Sequence, residues 1–186
     1  MVTIMSLWLP ILLSAVGVFI VSSIIHMLLG YHASDFAAVP NEAQARAAIG
    51  ALNIPPGDYS LPKASSMKEM GDPAFVEKMT KGPVLMMTVF PNGSLGMGKQ
   101  LTHWFLFSVV IAVFAAYLAS RTLEPGAEYL AVFRVVGAFT FAAYGLGEVP
   151  ASIWYRRKWS STAKNLFDAL LYGLVTAGVF GWLWPG

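Results

Sequence analysis

The stretch that decides the fold is Ile4–Leu29, IMSLWLPILLSAVGVFIVSSIIHMLL, near the start of the chain. It contains no Lys, Arg, Asp or Glu, and a helix needs roughly 20 apolar residues to cross the hydrocarbon core of a bilayer. A cleaved signal peptide would carry a basic first segment and a shorter apolar core, and both are missing. The sequence therefore predicts an uncleaved first transmembrane helix.

The composition of the whole chain points the same way. Of its 186 residues, 56% are hydrophobic and only 12% are charged, whereas soluble domains carry about 25% charged residues. A net charge of +2 provides no strongly basic face, so nucleic-acid binding is excluded on electrostatic grounds. The absence of cysteine excludes disulfides, thiolate-ligated metals and covalently attached haem.

Three further apolar stretches are long enough to span a bilayer. The third contains Arg134 and the fourth contains Asp168 near its start, while Pro125-Gly126 predicts a tight reversal between the second and third. These stretches are Gln100–Ser120, Tyr129–Gly147 and Leu166–Trp184.

Together these stretches predict an all-α membrane protein with four transmembrane helices. Transmembrane helix 1 lies in residues 1–30, an extramembrane cap in 31–98, and helices 2–4 in 99–186. We expect the cap to be a small mixed α/β or irregular insert between helices 1 and 2. The lipid bilayer is the first partner that this arrangement requires.

Tryptophan and basic residues indicate the orientation of the spans. An even number of crossings places both termini on one side of the membrane, and Trp residues gather at both interfaces of such proteins. Basic residues favour the cytoplasmic side, which predicts a cytoplasmic 31–98 segment and termini outside. The Trp residues are Trp8, Trp182 and Trp184 on the terminal side and Trp104, Trp154 and Trp159 on the loop side; the basic residues are Lys99, Arg156, Arg157, Lys158 and Lys164 on the loop side against Arg121.

The cap holds half of the charges, seven of eleven prolines and six of nine methionines, a composition typical of a separate water-exposed unit. Asn41 is a candidate N-cap for a helix over Glu42–Leu52. Asp72-Pro73 predicts the start of a second helix through about Met79. Val84–Phe90, bounded by Gly-Pro and Pro-Asn-Gly, predicts a strand or a segment lying on the membrane surface.

Small residues recur at a spacing of four on the second and fourth spans, which predicts helix-packing stripes because helices in lipid associate by close approach at small side chains. The third span adds Ala138/Ala142 and Ala143/Gly147. Bulky residues such as Phe114 and Phe180 are expected to face lipid or another subunit. The stripe residues are Ser108, Ala112, Ala116 and Ser120 on the second span and Ala169, Gly173, Ala177 and Gly181 on the fourth.

Each ionisable residue near a span has a structural interpretation. Asp168 is four residues from Lys164, which predicts an interfacial ion pair. Glu148 lies close in sequence to Arg156 and Arg157. The long side chain of Arg134 is expected to reach outwards to the interface, towards Glu124 or Glu128.

The three histidines, His26, His32 and His103, are expected at similar depth at one interface, together with Glu148 and Asp168. Facing imidazoles can bind haem, one imidazole can bind a chlorophyll-type pigment, and histidine with carboxylate can hold a metal. Hydrogen bonding to backbone or lipid headgroups is the competing explanation. The sequence singles out His26 and His103 as candidate ligands of haem or pigment, and it predicts no metal site and no catalytic residue.

Six short segments stand out along the chain: Ser6-Leu7-Trp8-Leu9-Pro10, Ile25-His26-Met27, Pro56-Gly57-Asp58-Tyr59, Gly82-Pro83, Ser152-Ile153-Trp154-Tyr155 and Gly181-Trp182-Leu183-Trp184-Pro185. In these segments the chain resembles a family of small bacterial four-helix integral membrane proteins that have no assigned activity. The resemblance extends over nearly the whole chain and implies a bacterial inner-membrane location.

No nucleophile motif, phosphate-binding loop or dinucleotide fingerprint occurs in the sequence. We therefore expect a non-catalytic accessory subunit that packs against other membrane-protein subunits, with a respiratory or photosynthetic complex as the parent assembly. The alternative is a redox subunit that binds haem or pigment through His26 and His103. A third hypothesis, a small transporter that depends on Asp168 or Glu148, ranks last because no carboxylate lies at the middle of a span.

Overall fold

The computed structural model describes residues 2–93 and 96–186 and divides into two compact units. A helical unit comprises Met1–Phe36 and Gly96–Gly186, and a smaller unit comprises Ala37–Leu95. The helical unit thus keeps the first six residues of the segment that the sequence assigned to the cap.

In the described residues, eight α-helices and two strands follow one another along the chain. A 3₁₀ turn precedes α1 at Ile4–Leu7, a wider π-helical turn follows it at Ile25–Leu29, and a second 3₁₀ turn follows at Tyr31–Ser34. The elements are α1 Trp8–Ile24, α2 Glu42–Ala51, β1 Gly57–Leu61, α3 Met67–Met70, α4 Pro73–Lys81, β2 Leu85–Val89, α5 Gly98–Thr122, α6 Tyr129–Gly145, α7 Val149–Trp154 and α8 Trp159–Trp182.

Four helical segments are long and apolar enough to span a membrane, which confirms the predicted all-α membrane fold with a small insert between helices 1 and 2. The fourth segment begins at Trp159, seven residues before the predicted Leu166. Hydropathy underestimates this helix because it carries charged side chains whose partners lie elsewhere in the chain. The segments are Ile4–Leu29, Gly98–Thr122, Tyr129–Trp154 and Trp159–Trp182.

Close approach of α6 and α8 organises the helical unit. A Cβ atom placed on Gly173 would lie 3.2 Å from the backbone oxygen of Gly137, and one on Gly145 would lie 2.9 Å from the Cβ of Ala169. Backbones at this separation leave no room for larger side chains, so the small residues set the distance between the helices. Of the residues in the predicted stripes, Ser108, Ala112, Ala116, Ser120, Ala169, Gly173 and Ala177 are buried and Gly181 is half-buried.

Two details of the predicted packing are wrong. Phe180 is fully buried rather than facing lipid, because it packs into an apolar cluster that includes Leu7, Val132 and Val136. Ala138 and Ala143 are exposed. The glycines of α6 face α8 instead, since only they allow its close approach.

The unit Ala37–Leu95 contains a two-stranded antiparallel sheet and three short helices, two of which lie between the strands in sequence. The strands pair from Gly57↔Val89 to Leu61↔Leu85, so the strand predicted within Val84–Phe90 is confirmed. The helix predicted after Asn41 is α2, but the Asn41 side chain makes no cap hydrogen bond and its backbone is left-handed. The helix predicted to start at Pro73 is α4, which continues to Lys81.

Candidate functional site

Three side chains of the helical unit bring nitrogen and oxygen donors to one point. One ligand atom from each of His26, His32 and Asp168 lies within 4.8 Å of the other two. The three residues come from the turn that ends the first span, the turn that follows it, and α8. We call them the three-donor cluster.

The backbone after α1 explains how two histidines six residues apart converge. The helix widens into a π-helical turn at Ile25–Leu29, a distortion that often occurs at functional sites. Gly30 then adopts φ 62°, a conformation that glycine enters without steric cost. The chain reverses there, and the turn Tyr31–Ser34 directs its polar side chains towards α8.

His32 lies between two carboxylates. One ring nitrogen, Nδ1, is 2.7 Å from Oδ2 of Asp35, and the other, Nε2, is 2.8 Å from Oδ2 of Asp168. Each ring nitrogen of His32 is therefore within hydrogen-bond distance of a different carboxyl group. The three groups therefore form one short chain of charge-assisted hydrogen bonds.

Asp35 is fixed by further donors. Its Oδ1 accepts hydrogen bonds from Nζ of Lys164 at 2.8 Å and from Oγ of Ser161 at 3.1 Å. Lys164 also donates to the backbone oxygen of Tyr31 at 2.6 Å and to Oγ of Ser34 at 2.8 Å. The hydrogen bonds from Lys164 and His32 hold the pKa of Asp35 well below its usual range, so this carboxylate stays ionised.

The Asp168 side chain is only 5% exposed, and its second oxygen is also occupied. Tyr31 donates its hydroxyl hydrogen to Oδ1 of Asp168. Burial, together with the nearby carboxylate, raises the pKa of Tyr31 well above its usual range, so the phenol remains a donor at physiological pH.

His26 forms the accessible rim of the cluster. Its side chain is 50% exposed, its Nε2 is 3.9 Å from Oδ2 of Asp168, and its ring centroid is 4.5 Å from that of His32. It therefore faces the same carboxylate oxygen as His32 without a hydrogen bond at normal distance. The cluster thus has one buried member, Asp168, and one member open to its surroundings, His26.

An apolar and aromatic group lies on the same helices. Ile25 and Tyr172 are buried, and Trp104 packs against them and donates from Nε1 to Oγ of Ser22 at 2.8 Å. The buried hydroxyl of Tyr172, one helical turn from Asp168, has no hydrogen-bond partner within residues 2–93 and 96–186. Low polarity beside the carboxylate strengthens its attraction to any bound cation.

Of the predicted polar contacts, the structure contains one and lacks another. The proximity of Glu148 to Arg157 is confirmed, at 2.9 Å, and Asn165 adds a hydrogen bond to the same oxygen. The predicted Lys164–Asp168 ion pair is wrong, because Lys164 binds Asp35 while Asp168 binds His32 and Tyr31. An i,i+4 pairing rule misses such contacts, since their partners are more than 120 residues away.

Of the predicted ligands, His26 belongs to the cluster and His103 does not. His103 is exposed on α5 and lies outside the three-donor group. The sequence missed Tyr31 and Asp35 as site residues, although Tyr31-His32-Ala33-Ser34-Asp35 places a histidine and an aspartate three apart directly after a span. That polar run was the one available signal.

No family model, curated protein or solved structure matches this chain. Two imidazoles and one carboxylate can bind a cation. Alternatively, the hydrogen bonds among them can hold the end of the first span against α8.

Proposed function

We propose that the protein is a non-catalytic accessory subunit of a larger membrane complex and that a transmembrane helix of a partner subunit docks between α6 and α8. The proposal rests on a groove on the outer side of this helix pair. Its residues belong to two adjacent membrane-spanning helices. They are Phe133, Arg134, Gly137, Ala138, Phe141, Leu170, Gly173 and Leu174.

The groove exists because of the close contact between Gly137 and Gly173. Where both helices lack side chains, the surface between the flanking Phe141 and Leu174 is concave. Helices in lipid associate through van der Waals contact at such places, because lipid provides no hydrophobic force between them. A rigid helix of a partner subunit can make this contact with less loss of conformational entropy than flexible acyl chains.

The groove includes one charged side chain, Arg134, which needs a polar partner. It is the sixth residue of α6, its side chain is exposed, and in the part of the chain that the structure describes it forms no ion pair. The contacts that the sequence predicted with Glu124 or Glu128 are not formed. A guanidinium within a membrane-spanning segment favours a carboxylate or carbonyl partner, which a docked subunit supplies.

The unit Ala37–Leu95 offers a second surface for a partner. Phe75 is its one buried large apolar side chain among residues 37–93, and a unit of this size is marginally stable without further burial. It contains five basic and five acidic residues, and this balance favours a protein surface over anionic lipid, which selects for excess Lys and Arg. Its exposed apolar residues include Ile49, Leu52, Met67, Met70, Val76, Met79, Val84, Met86 and Phe90.

The orientation follows the distribution of basic residues. Lys99 lies at the start of α5, and Arg156, Arg157 and Lys158 lie between α7 and α8. At the other end of the membrane-spanning helices, Arg121 lies in the last turn of α5. Since Lys and Arg collect on the cytoplasmic side, we place both termini in the periplasm and residues 31–98 in the cytoplasm of a bacterial cell with the chain in its inner membrane.

A matched pair of substitutions tests the docking site. Ala138 and Ala143 are both exposed on α6, but only Ala138 lines the groove. We expect Ala138→Leu to fill the groove and displace the partner, while Ala143→Leu leaves binding intact. The readout is the size of the particle that contains the tagged protein after mild detergent extraction, with partners identified by mass spectrometry.

Two results would overturn the proposal. Recovery of the unaltered protein solely as a free monomer or dimer contradicts the accessory role. Equal loss of the large particle for both alanine variants contradicts the assignment of the groove. The identity of the co-purified subunits decides whether the parent complex is respiratory or photosynthetic, as expected from the sequence.

A further inference from the structure

We propose that His26, His32 and Asp168 bind one divalent first-row transition-metal ion, Zn²⁺ or a metal of similar preference. This site is separate from the groove between α6 and α8 and does not depend on the docking proposal. The proposal rests on the close placement of three donor atoms from three backbone elements.

The donor distances match a ligand set around a small cation. Zinc binds histidine nitrogen and carboxylate oxygen at about 2.0–2.2 Å, which places neighbouring ligand atoms roughly 3 Å apart. Oδ2 of Asp168 is 2.8 Å from Nε2 of His32 and 3.9 Å from Nε2 of His26. The three ligand atoms lie within 4.8 Å of one another, and the half-exposed His26 ring is the member that has to move inwards to complete the set.

The atoms that do not point to the centre are already engaged. Nδ1 of His32 faces the ionised Asp35, and Oδ1 of Asp168 accepts from Tyr31. Metal-binding histidines commonly donate their other N–H to a carboxylate, and metal-binding carboxylates are themselves hydrogen-bonded. Each ligand atom, Nε2 of His32 and Oδ2 of Asp168, is thereby left to face the centre.

Asp35 is anchored strongly enough to act as this orienting group. Lys164 and Ser161 hold its second oxygen, and its side chain is 7% exposed. When a cation replaces the shared hydrogen between His32 and Asp168, the bond between His32 and Asp35 is retained. Binding therefore requires no rearrangement of the surrounding network.

The donor types select the metal. Two imidazoles and one carboxylate suit Zn²⁺, Fe²⁺, Co²⁺ or Ni²⁺, whereas Mg²⁺ and Ca²⁺ prefer oxygen ligands throughout. Three protein ligands leave at least one coordination position open, as in sites that exchange a water or another small ligand. The exposure of His26 provides access to that position.

The experiment uses the purified full chain in detergent micelles, freed of metal by a chelator and titrated with Zn²⁺ by calorimetry. We expect one ion per chain. His26→Ala should weaken binding by about 100-fold or more, since it removes one of three ligands while leaving every hydrogen bond of the cluster in place. The matched control is His103→Ala, which removes an exposed histidine outside the cluster and should leave the affinity unchanged.

Asp35→Asn tests the orienting group, and we expect a loss of about 10- to 100-fold in Zn²⁺ affinity. Co²⁺ provides a readout that needs no variant, because nitrogen ligation changes its visible absorption from that of the aqueous ion. Three results overturn the proposal: no stoichiometric Zn²⁺ binding, an aqueous Co²⁺ spectrum, or equal loss of affinity in His26→Ala and His103→Ala.

Discussion

Lys164 is the cation on which the polar network depends, and replacing it with methionine is the most informative perturbation of the fold. Its Nζ contacts the carboxylate of Asp35, the hydroxyl of Ser34 and the backbone oxygen of Tyr31, all within 2.8 Å. Methionine keeps the length and apolar stem of the side chain but removes these hydrogen bonds. Asp35, which is 7% exposed, then keeps only its hydrogen bonds with His32 and Ser161.

The magnitude follows from the burial of the two partners. Breaking a fully buried ion pair by removing one member costs about 3–5 kcal/mol. Lys164 is 23% exposed, so water recovers part of that loss. We therefore expect Lys164→Met to lower the free energy of unfolding by about 2–3 kcal/mol.

Unfolding in mixed micelles, followed by tryptophan fluorescence as the denaturing detergent increases, measures this free energy. The matched control is Lys158→Met at the start of α8. Its amino group is exposed and reaches only the backbone oxygen of Ser34 at 3.5 Å, so we expect a change below about 0.5 kcal/mol. Combining Lys164→Met with Asp35→Asn should give less than the sum of the single effects, because the two residues interact directly.

Equal stability of Lys164→Met and Lys158→Met would refute this reasoning. Strict additivity of Lys164→Met and Asp35→Asn would also do so, since it would mean that the ion pair contributes nothing.

Two further predictions concern packing and pH. Gly145→Ala should destabilise the helical unit by about 1–3 kcal/mol, because its Cβ would lie 2.9 Å from that of Ala169. In the control, Gly147→Ala, the added Cβ meets nothing within 4 Å, so this variant should be neutral. Equal melting temperatures for both variants in detergent would contradict the close contact. In the smaller unit, hydrogen bonds from Ser65 hold the pKa of Glu69 below its usual range, so the stabilisation of α3 by Glu69 is present above the unfolded-state pKa and is lost as pH falls through the folded-state value. The protection factor of the Ser65 amide, which corrects the exchange rate for its intrinsic slowing at lower pH, should therefore fall on acidification, and Glu69→Gln should remove that change; a protection factor that stays the same across the transition would contradict it.

Local composition was enough to predict the membrane-spanning segments and much of the smaller unit. A charge-free run such as Ile4–Leu29 has no stable alternative to a helix in lipid, because every backbone polar group must be satisfied within the segment. Proline at the first position of α4 and the turn residues around β2 act over a few residues, so their signals also survive in the sequence.

The polar cluster was only partly predictable because its contacts join distant parts of the chain. Hydropathy placed the histidines near one interface, but it carried no information about the π-helical turn and the reversal at Gly30 that bring His32 to Asp168. The i,i+4 rule offered only Asp168 as the partner of Lys164, whereas the residue that Lys164 binds, Asp35, is 129 residues away in sequence. The partner of Lys164 is determined by the tertiary structure, and a spacing of four residues in the sequence carries no information about that structure.

Membrane topology is the central claim, and site-directed labelling tests it most directly. The chain has no cysteine, so Ala47→Cys in α2 and Gly186→Cys at the end of the chain each give a unique reactive thiol. An impermeant maleimide added to intact cells, after controlled opening of the outer membrane, should label Gly186→Cys and leave Ala47→Cys unlabelled until the inner membrane is disrupted. Equal labelling of both thiols before disruption would contradict the four-crossing arrangement.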